Sequence, residues 1–181
     1  LRIGLVLTEM FGVKVDPEVA EAVKQTGNTL AGMGHVVETA ETDVGGLDTL
    51  RALNELFFFA FDARLESYTK RSGQKIGADT LEPVILSIYE WSNGITPARF
   101  MAALGAVNTA RRKMARIYAS HDIMLSPTTS RVAEPWGNYN LSKPGVSAVN
   151  IVDSLFAIPC QFTVPHNIMG TPGRLLDELK K

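Results

Sequence analysis

Residues 3–38 read IGLVLTEMFGVKVDPEVAEAVKQTGNTLAGMGHVVE, and they decide the fold class. Ile3 to Thr8 is a short apolar, partly β-branched run, the pattern of a buried strand. Asp16 then supplies an N-cap, and Pro17 stands at the first helical position, where its missing N–H costs nothing. Val19, Ala22, Val23, Leu30 and Met33 recur at helical spacing until Gly34 ends the helix. His35 to Glu38 is a second strand. A strand, a capped amphipathic helix and another strand make a βαβ unit, so a parallel pair is expected.

Outward from that unit the chain turns helical. Leu50, Leu53, Phe57, Ala60, Phe61, Leu65 and Tyr68 keep helical spacing, and Phe58 and Phe59 carry the apolar surface round the cylinder. Such a run must be covered on more than one side. Gly73 to Gly77 is a break, after which Thr80 is expected to cap a short helix with Leu81, Val84, Ile85 and Ile88 inward. Thr96-Pro97 opens a longer one, with Phe100, Ala103, Leu104, Val107, Ala110, Met114, Ile117 and Tyr118 on one face. Arg111, Arg112, Lys113 and Arg116 lie beside that face near the helix end, and they read as a solvated basic surface rather than an anion site. Ile123 to Ser126 is a third strand, ending at Pro127. The stretch from Arg131 to Gly145 reads as a long loop, and a last helix is expected from about Val149 to Phe156, stopping before Pro159. The expectation is an α/β chain: a small mixed or parallel sheet of about three strands covered by helices, in a single domain spanning residues 1–181.

Composition narrows the function classes. Over 181 residues, hydrophobic residues are 45% and charged residues 20%, and the net charge is −1. That balance is globular and asks for neither nucleic acid nor an anionic membrane as partner. No apolar run reaches the roughly 18 residues that span a bilayer. The one cysteine, Cys160, forms no internal disulfide framework and suits a cytoplasmic setting. A chain opening inside a strand-like run, Leu1-Arg2-Ile3-Gly4, reads as part of something longer.

Several chemical signatures can be tested and dropped. Gly32-Met33-Gly34 closes a helix instead of opening one, so it cannot aim N–H groups at a phosphate. Ser72-Gly73-Gln74-Lys75 has S-x-x-K spacing but lies in a Gly-bounded break without companion motifs. Gly145-Val146-Ser147-Ala148-Val149 lacks the second Gly of a nucleophile elbow. His35, His121 and His166 have no metal-ligand spacing. Cys160 and His166 could form a thiol–base pair if the chain bends back, though an isolated Cys beside Ile158-Pro159 is more often a small buried hydrophobe. No self-sufficient catalytic constellation, no metal site and no cofactor site emerges.

Three stretches together resemble the C-terminal half of the amidase signature family. LRIGLV followed by VDPEVAEAVKQTGNTLAGMGHVVE resembles that family's strand, D-P-E-V helix and L-G-H-x-V strand. YASHDIMLSPTTS is similar to its D-x-L-L-x-P-T strand, and FTVPHNIMGTP to its F-x-x-x-x-N-x-x-G-x-P segment. FTVPHNIMGTP and FDARLESYTKRSG look most like the bacterial amidases related to 6-aminohexanoate cyclic-dimer hydrolase. The resemblance implies a mixed sheet surrounded by helices and amide hydrolysis by a Ser–cis-Ser–Lys triad without cofactor, acting on a small amide. In that family the triad and its Gly-Ser-rich signature lie in the N-terminal half, so none of those residues maps here. The partner implied is that N-terminal half, with self-association as the other way to cover the surface. The matching pocket-wall positions are Ser126, Pro127, Thr128 and Thr129, with His166, Asn167 and Gly170. Two alternatives stay open. Pro127 could merely end the strand while the threonines bond to local backbone, and Asn167 could brace a loop. Trp91 and Trp136 could form an apolar lid or simply cover core. After Thr171-Pro172 the family pattern is lost, and residues 173–181 form a divergent charged tail. A non-catalytic α/β binding module derived from the same scaffold is the other functional reading.

Overall fold

The structure, a computed structural model, describes residues 1–171. The tail expected at 173–181 lies outside the described residues. The sheet has three strands, β1 (Arg2–Leu5), β2 (Val36–Thr39) and β3 (Ile123–Leu125), in the order β2-β1-β3. Both pairings are parallel, with Ile3 opposite Val37 on one side and Ile123 on the other. β1 is shorter than the apolar run to Thr8. Beyond Leu5 the pairing with β3 continues by one further bond, from Val6 N–H to the Leu125 carbonyl (2.8 Å), and Pro127 has no N–H to extend it.

Alternation along β1 divides the molecule. Ile3 and Leu5 face helix α1 (Pro17–Gly32), joined by Leu125, Val23, Leu30 and Val37. Gly4 faces the other way, toward Ala40 and the His121 ring. Asp16 caps α1 as expected, its carboxylate accepting from Glu18 N–H at 2.8 Å, and Gly34 leaves the helix with φ +92°. The buried stripe is narrower than the sequence suggests, because α1 settles on Gly27. A Cβ there would lie 2.9 Å from Leu5 Cδ1, so the helix sits close at this point, and Met33, off the line of contact, is 67% exposed.

The second face carries the helices. The run from Leu50 to Tyr68 is two helices, α2 (Gly46–Phe58) and α3 (Phe61–Ser72), parted at Ala60, which takes a left-handed φ of +57°. The break distributes an all-round apolar surface. Phe58 meets Phe61 and Trp91 edge-on, at 5.8 and 6.3 Å between centroids, while Phe59 turns to Phe100 at 4.3 Å. Helix α4 (Pro83–Ser92) starts later than expected. Pro83 restricts the residue before it and is itself preset for the first turn, so Glu82 takes the N-cap position. Thr80 instead bonds to the carbonyls of Lys75 and Gly77. Helix α5 (Pro97–Met114) begins at the expected Thr96 cap and runs into a 3₁₀ turn at Ala115–Ala119. Arg99–Glu55 (2.6 Å) links α5 to α2, and Lys113–Asp43 (2.7 Å) links it to the loop before α2.

The main core lies between these helices and the end of β1, around Val6, Phe11, Val84, Met114, Ile151 and Phe162. The last helical segment does not stop before Pro159. A widened π turn at Val152–Phe156 passes into α6 (Ala157–Cys160), and α7 (Val164–Met169) follows. After the π turn, Pro159 falls in the first turn of the next segment, where a missing N–H is tolerated. Trp91 covers core against Phe58, whereas Trp136 in the 131–145 stretch is fully exposed, so the two tryptophans do not build a shared lid. Among the described residues no helix is long and apolar enough to cross a membrane.

Candidate functional site

The strand order 2-1-3 makes the gap between the carboxyl ends of β1 and β3 a switch point, since the β1–β2 connection runs to one side of β1 and the β2–β3 connection crosses to the other. Parallel sheets collect ligands there. Ser126, Pro127, Thr128 and Thr129 follow β3 directly and line a shallow cleft of about 270 Å³, whose other wall is Val19, Ala22, Val23 and Thr26 of α1. Pro127 is buried, Ser126 half-buried, and Thr128 and Thr129 exposed. Thr129 spends its hydroxyl on a local turn bond to the Arg131 carbonyl at 2.8 Å. The Ser126 and Thr128 hydroxyls make no hydrogen bond among the described residues and are free to meet a ligand.

The other three candidates sit elsewhere, on α7 and its end, and line neither this cleft nor the larger cavity described below. His166 is half-buried, its Nδ1 lies 2.9 Å from Thr171 Oγ1, and burial pushes its pKa below the ordinary 6.5. Tyr118, whose pKa burial pushes up, lies close to the same Thr171 hydroxyl. Asn167 is exposed. Gly170 ends α7 with φ +68°, a left-handed position that suits a residue without Cβ, and its N–H reaches the His166 carbonyl at 2.8 Å. Cys160 and His166 have different neighbours. The thiol looks into an apolar cavity, where burial raises its pKa, and the imidazole turns to Thr171. Among the described residues there is no group of three or more His, Cys, Asp or Glu that could hold a metal ion.

A buried polar knot holds the cleft's floor in place. Ser130 and Gln161 are both fully buried. Gln161 Nε2 donates to Ser130 Oγ (2.5 Å) and to the Val13 carbonyl (2.9 Å), Ser130 Oγ donates to the Ile158 carbonyl (2.6 Å), and Asp16 N–H donates to the Ser130 carbonyl (2.8 Å). The residue after Thr129 is thereby tied both to α6 and to the start of α1, the two sides that position the cleft.

A roomier cavity, about 640 Å³, lies between α2, α3 and the α6–α7 segment, and none of the seven candidate residues lines it. Phe57, Phe58, Phe61 and Leu65 form one side, Val152, Phe156 and Val164 another, with Asn54 and Cys160 as polar points. Sequence reasoning found the lining as an over-apolar helix but not the void. The signal available was that a run apolar on every side must face something besides its own core.

No family profile matches the chain. In sequence it is similar to the 6-aminohexanoate-cyclic-dimer hydrolase of Paenarthrobacter ureafaciens, 26% identical over 95% of this chain and 36% of that protein. In fold it superposes on a 6-aminohexanoate cyclic dimer hydrolase complexed with substrate (TM-score 0.81, 22% identity, 94% of this chain, 36% of that one). It also superposes on a bacterial aryl acylamidase of the amidase signature family (TM-score 0.69, 18% identity, 97% of this chain, 37% of that one). The chain therefore spans about a third of the length of the proteins it matches. Over that third it is similar in sequence to 6-aminohexanoate-cyclic-dimer hydrolase, and it shares its fold with that hydrolase and with an amidase signature aryl acylamidase.

Proposed function

We propose that this chain is the C-terminal portion of an amide C–N hydrolase of the Ser–cis-Ser–Lys type, one domain over residues 1–181 with a divergent tail at 173–181. It shapes the substrate pocket of a cytoplasmic enzyme and carries no member of the triad. The observation that supports this best is the match to 6-aminohexanoate-cyclic-dimer hydrolase over 95% of the chain, with the Ser126–Thr129 cleft at the switch point of the sheet. Ser126 and Thr128 would hydrogen-bond the amide substrate, Pro127 and Thr129 would set their backbone, and His166, Asn167 and Gly170 would shape a neighbouring wall. Catalysis itself would come from serines and a lysine on the N-terminal half, activating one Ser through the other and sheltering the oxyanion with backbone N–H groups. That half is the partner, and in its absence the uncovered sheet edges favour self-association.

The test is a chimera in which this chain replaces the matching third of the Paenarthrobacter hydrolase. A soluble chimera should hydrolyse a small linear amide, and Thr128→Ala should raise its KM with little change in kcat. The isolated chain should show no turnover of aryl amides. Turnover by the isolated chain that survives loss of Ser72, Ser126 and Ser130 would contradict the assignment. A folded chimera that binds amides but never cleaves them would favour the binding-module reading.

A further inference from the structure

Asn93-Gly94, the chain's one asparagine followed by glycine, lies exposed in the turn between α4 and α5. The fold does not call for this pair. A glycine just past a helix end usually supplies a left-handed turn, yet Gly94 is not among the glycines with positive φ. A Cβ there would meet the Trp91 carbonyl at 3.4 Å and Arg99 Nη1 at 3.9 Å, ordinary contact distances. Asn93 keeps helical angles, φ −58° and ψ −26°, and its Nδ2 donates to the Tyr89 carbonyl at 3.1 Å. What the pair does supply is reactivity: a carboxamide beside a backbone nitrogen that no Cβ shields.

We propose that Asn93 is a self-modifying site, converted slowly to aspartate and isoaspartate, and that opening of the α4–α5 turn sets its rate. The Gly94 backbone nitrogen, losing its proton to water, attacks the Asn93 side-chain carbonyl carbon. The new C–N bond closes a succinimide ring and expels the side-chain nitrogen as ammonia. Water then opens the ring at either carbonyl, leaving aspartate, or isoaspartate in which the main chain runs through the side chain. Nothing is oxidised or reduced, and only water is consumed. The folded turn holds the reactants apart. Gly94 N–H donates to the Trp91 carbonyl, the Gly94 carbonyl accepts from Arg99 Nη1, and Ile95 N–H donates to the Ser92 carbonyl, each at 3.0 Å. Ring closure needs Asn93 to leave its helical ψ, so the Gly94 bond must break first and its neighbours loosen with it.

Conversion then acts on the core. A carboxylate cannot donate to the Tyr89 carbonyl, and it places a negative charge at the negative end of the α4 dipole. α4 carries Val84 and Ile88 of the main core, and it holds α3 through Ser92 Oγ to Asp62 N–H and Tyr89 to Glu66. The modification therefore loosens α3 and α4 together. The inference is independent of the amidase reading, since it uses only this turn.

The intact chain is incubated in mildly alkaline buffer, native and in urea. Each asparagine is followed by peptide mass mapping, and isoaspartate by isoaspartyl methyltransferase labelling. Residue 93 should convert ahead of every other asparagine in both states. Its conversion should be at least roughly tenfold faster in urea, because the native chain must open before the chemistry can start. Gly94→Ala fits the turn and should slow conversion in urea by roughly tenfold or more, since its Cβ shields the nitrogen. Asn93→Asp carries the product from the start and should unfold at lower urea than the wild type, whereas Gly94→Ala should not. Equal rates in the native and unfolded chain, another asparagine converting first, a Gly94→Ala rate equal to the wild type's, or an unchanged Asn93→Asp midpoint would each overturn the proposal.

Discussion

The two faces of the sheet are built on different terms. On one, a single helix, α1, fully buries only Gly27 and rests on a small cluster around Ile3, Leu5 and Leu125. On the other, four helices and the α6–α7 segment enclose the main core, with Val6, Val84 and Met114 entirely removed from water. The first face is specified locally, by caps, alternation and a glycine contact. The second is specified by long-range packing of aromatic residues. Each face also has its own cleft: a small one of mixed polarity where α1 meets the end of β3, and a larger apolar one among the helices. Stability is therefore concentrated on one side, while the Ser126–Thr129 cleft lies on the side with less to lose.

Truncation should show that asymmetry most visibly. Met114→Ala removes a fully buried side chain between α5 and the sheet and should cost about 2–5 kcal/mol. Leu30→Ala, on the partly buried stripe of α1, should cost less than half as much, since solvent can reclaim the space. Urea midpoints of the two variants check the order, and equal losses would mean that α1 is held far more firmly than its burial shows. Next in size is Gln161→Leu. It strips the Val13 carbonyl and the Ser130 hydroxyl of a buried donor and should cost about 1–3 kcal/mol. The same variant should disturb the Ser126–Thr129 cleft, visible as chemical-shift changes in those four residues, because the Ser130 anchor joins the two faces.

The contrast also governs what could be read from the residues alone. Asp16-Pro17, Thr96-Pro97 and Gly34 act within one turn of the chain, so the helix ends they set were legible. The three strands were legible as short apolar runs, with Gly34 before β2 and Pro127 after β3 marking two of their bounds. The break at Ala60 was not, since its cause is the need to send Phe58 to Trp91 and Phe59 to Phe100, residues that are distant in sequence. Thr80 was a plausible cap displaced by a stronger signal three residues on, at Pro83. Ser126 to Thr129 fell together in a cleft because they follow one strand, whereas grouping them with His166, Asn167 and Gly170 demanded a tertiary contact that no spacing encodes. The large cavity left even less trace, for a void is a property of several helices at once.

Smaller effects refine the picture of the α1 face. Asp16→Ala removes the cap that accepts from Glu18 N–H and should cost about 1 kcal/mol, with Asp16→Asn close to neutral in a thermal melt. If both variants lose equally, the carboxylate's charge near the helix N-terminus matters more than its hydrogen bond.

The smallest effect belongs to the helical face and depends on pH. Burial holds the His166 pKa below 6.5, so on acidification the unfolded chain takes up that proton before the folded one does. Where the unfolded state binds more protons, stability rises with pH. His166 therefore contributes no penalty above its ordinary pKa, and a growing one as pH falls through it. Asp43 and Glu134 are held below the usual carboxylate range by Lys113 and by Asn138 with Arg131, and Cys160 is raised, so none of the three adds to the change between about pH 7.5 and about pH 5.5. His166→Gln keeps a side chain able to bond Thr171 and cannot ionise. Its stability should fall less over that interval than the wild type's, with the two curves converging in shape at the alkaline end. Parallel curves across the whole interval would show that the imidazolium finds water in the folded state, and that α7 packs less tightly over the core than its burial indicates.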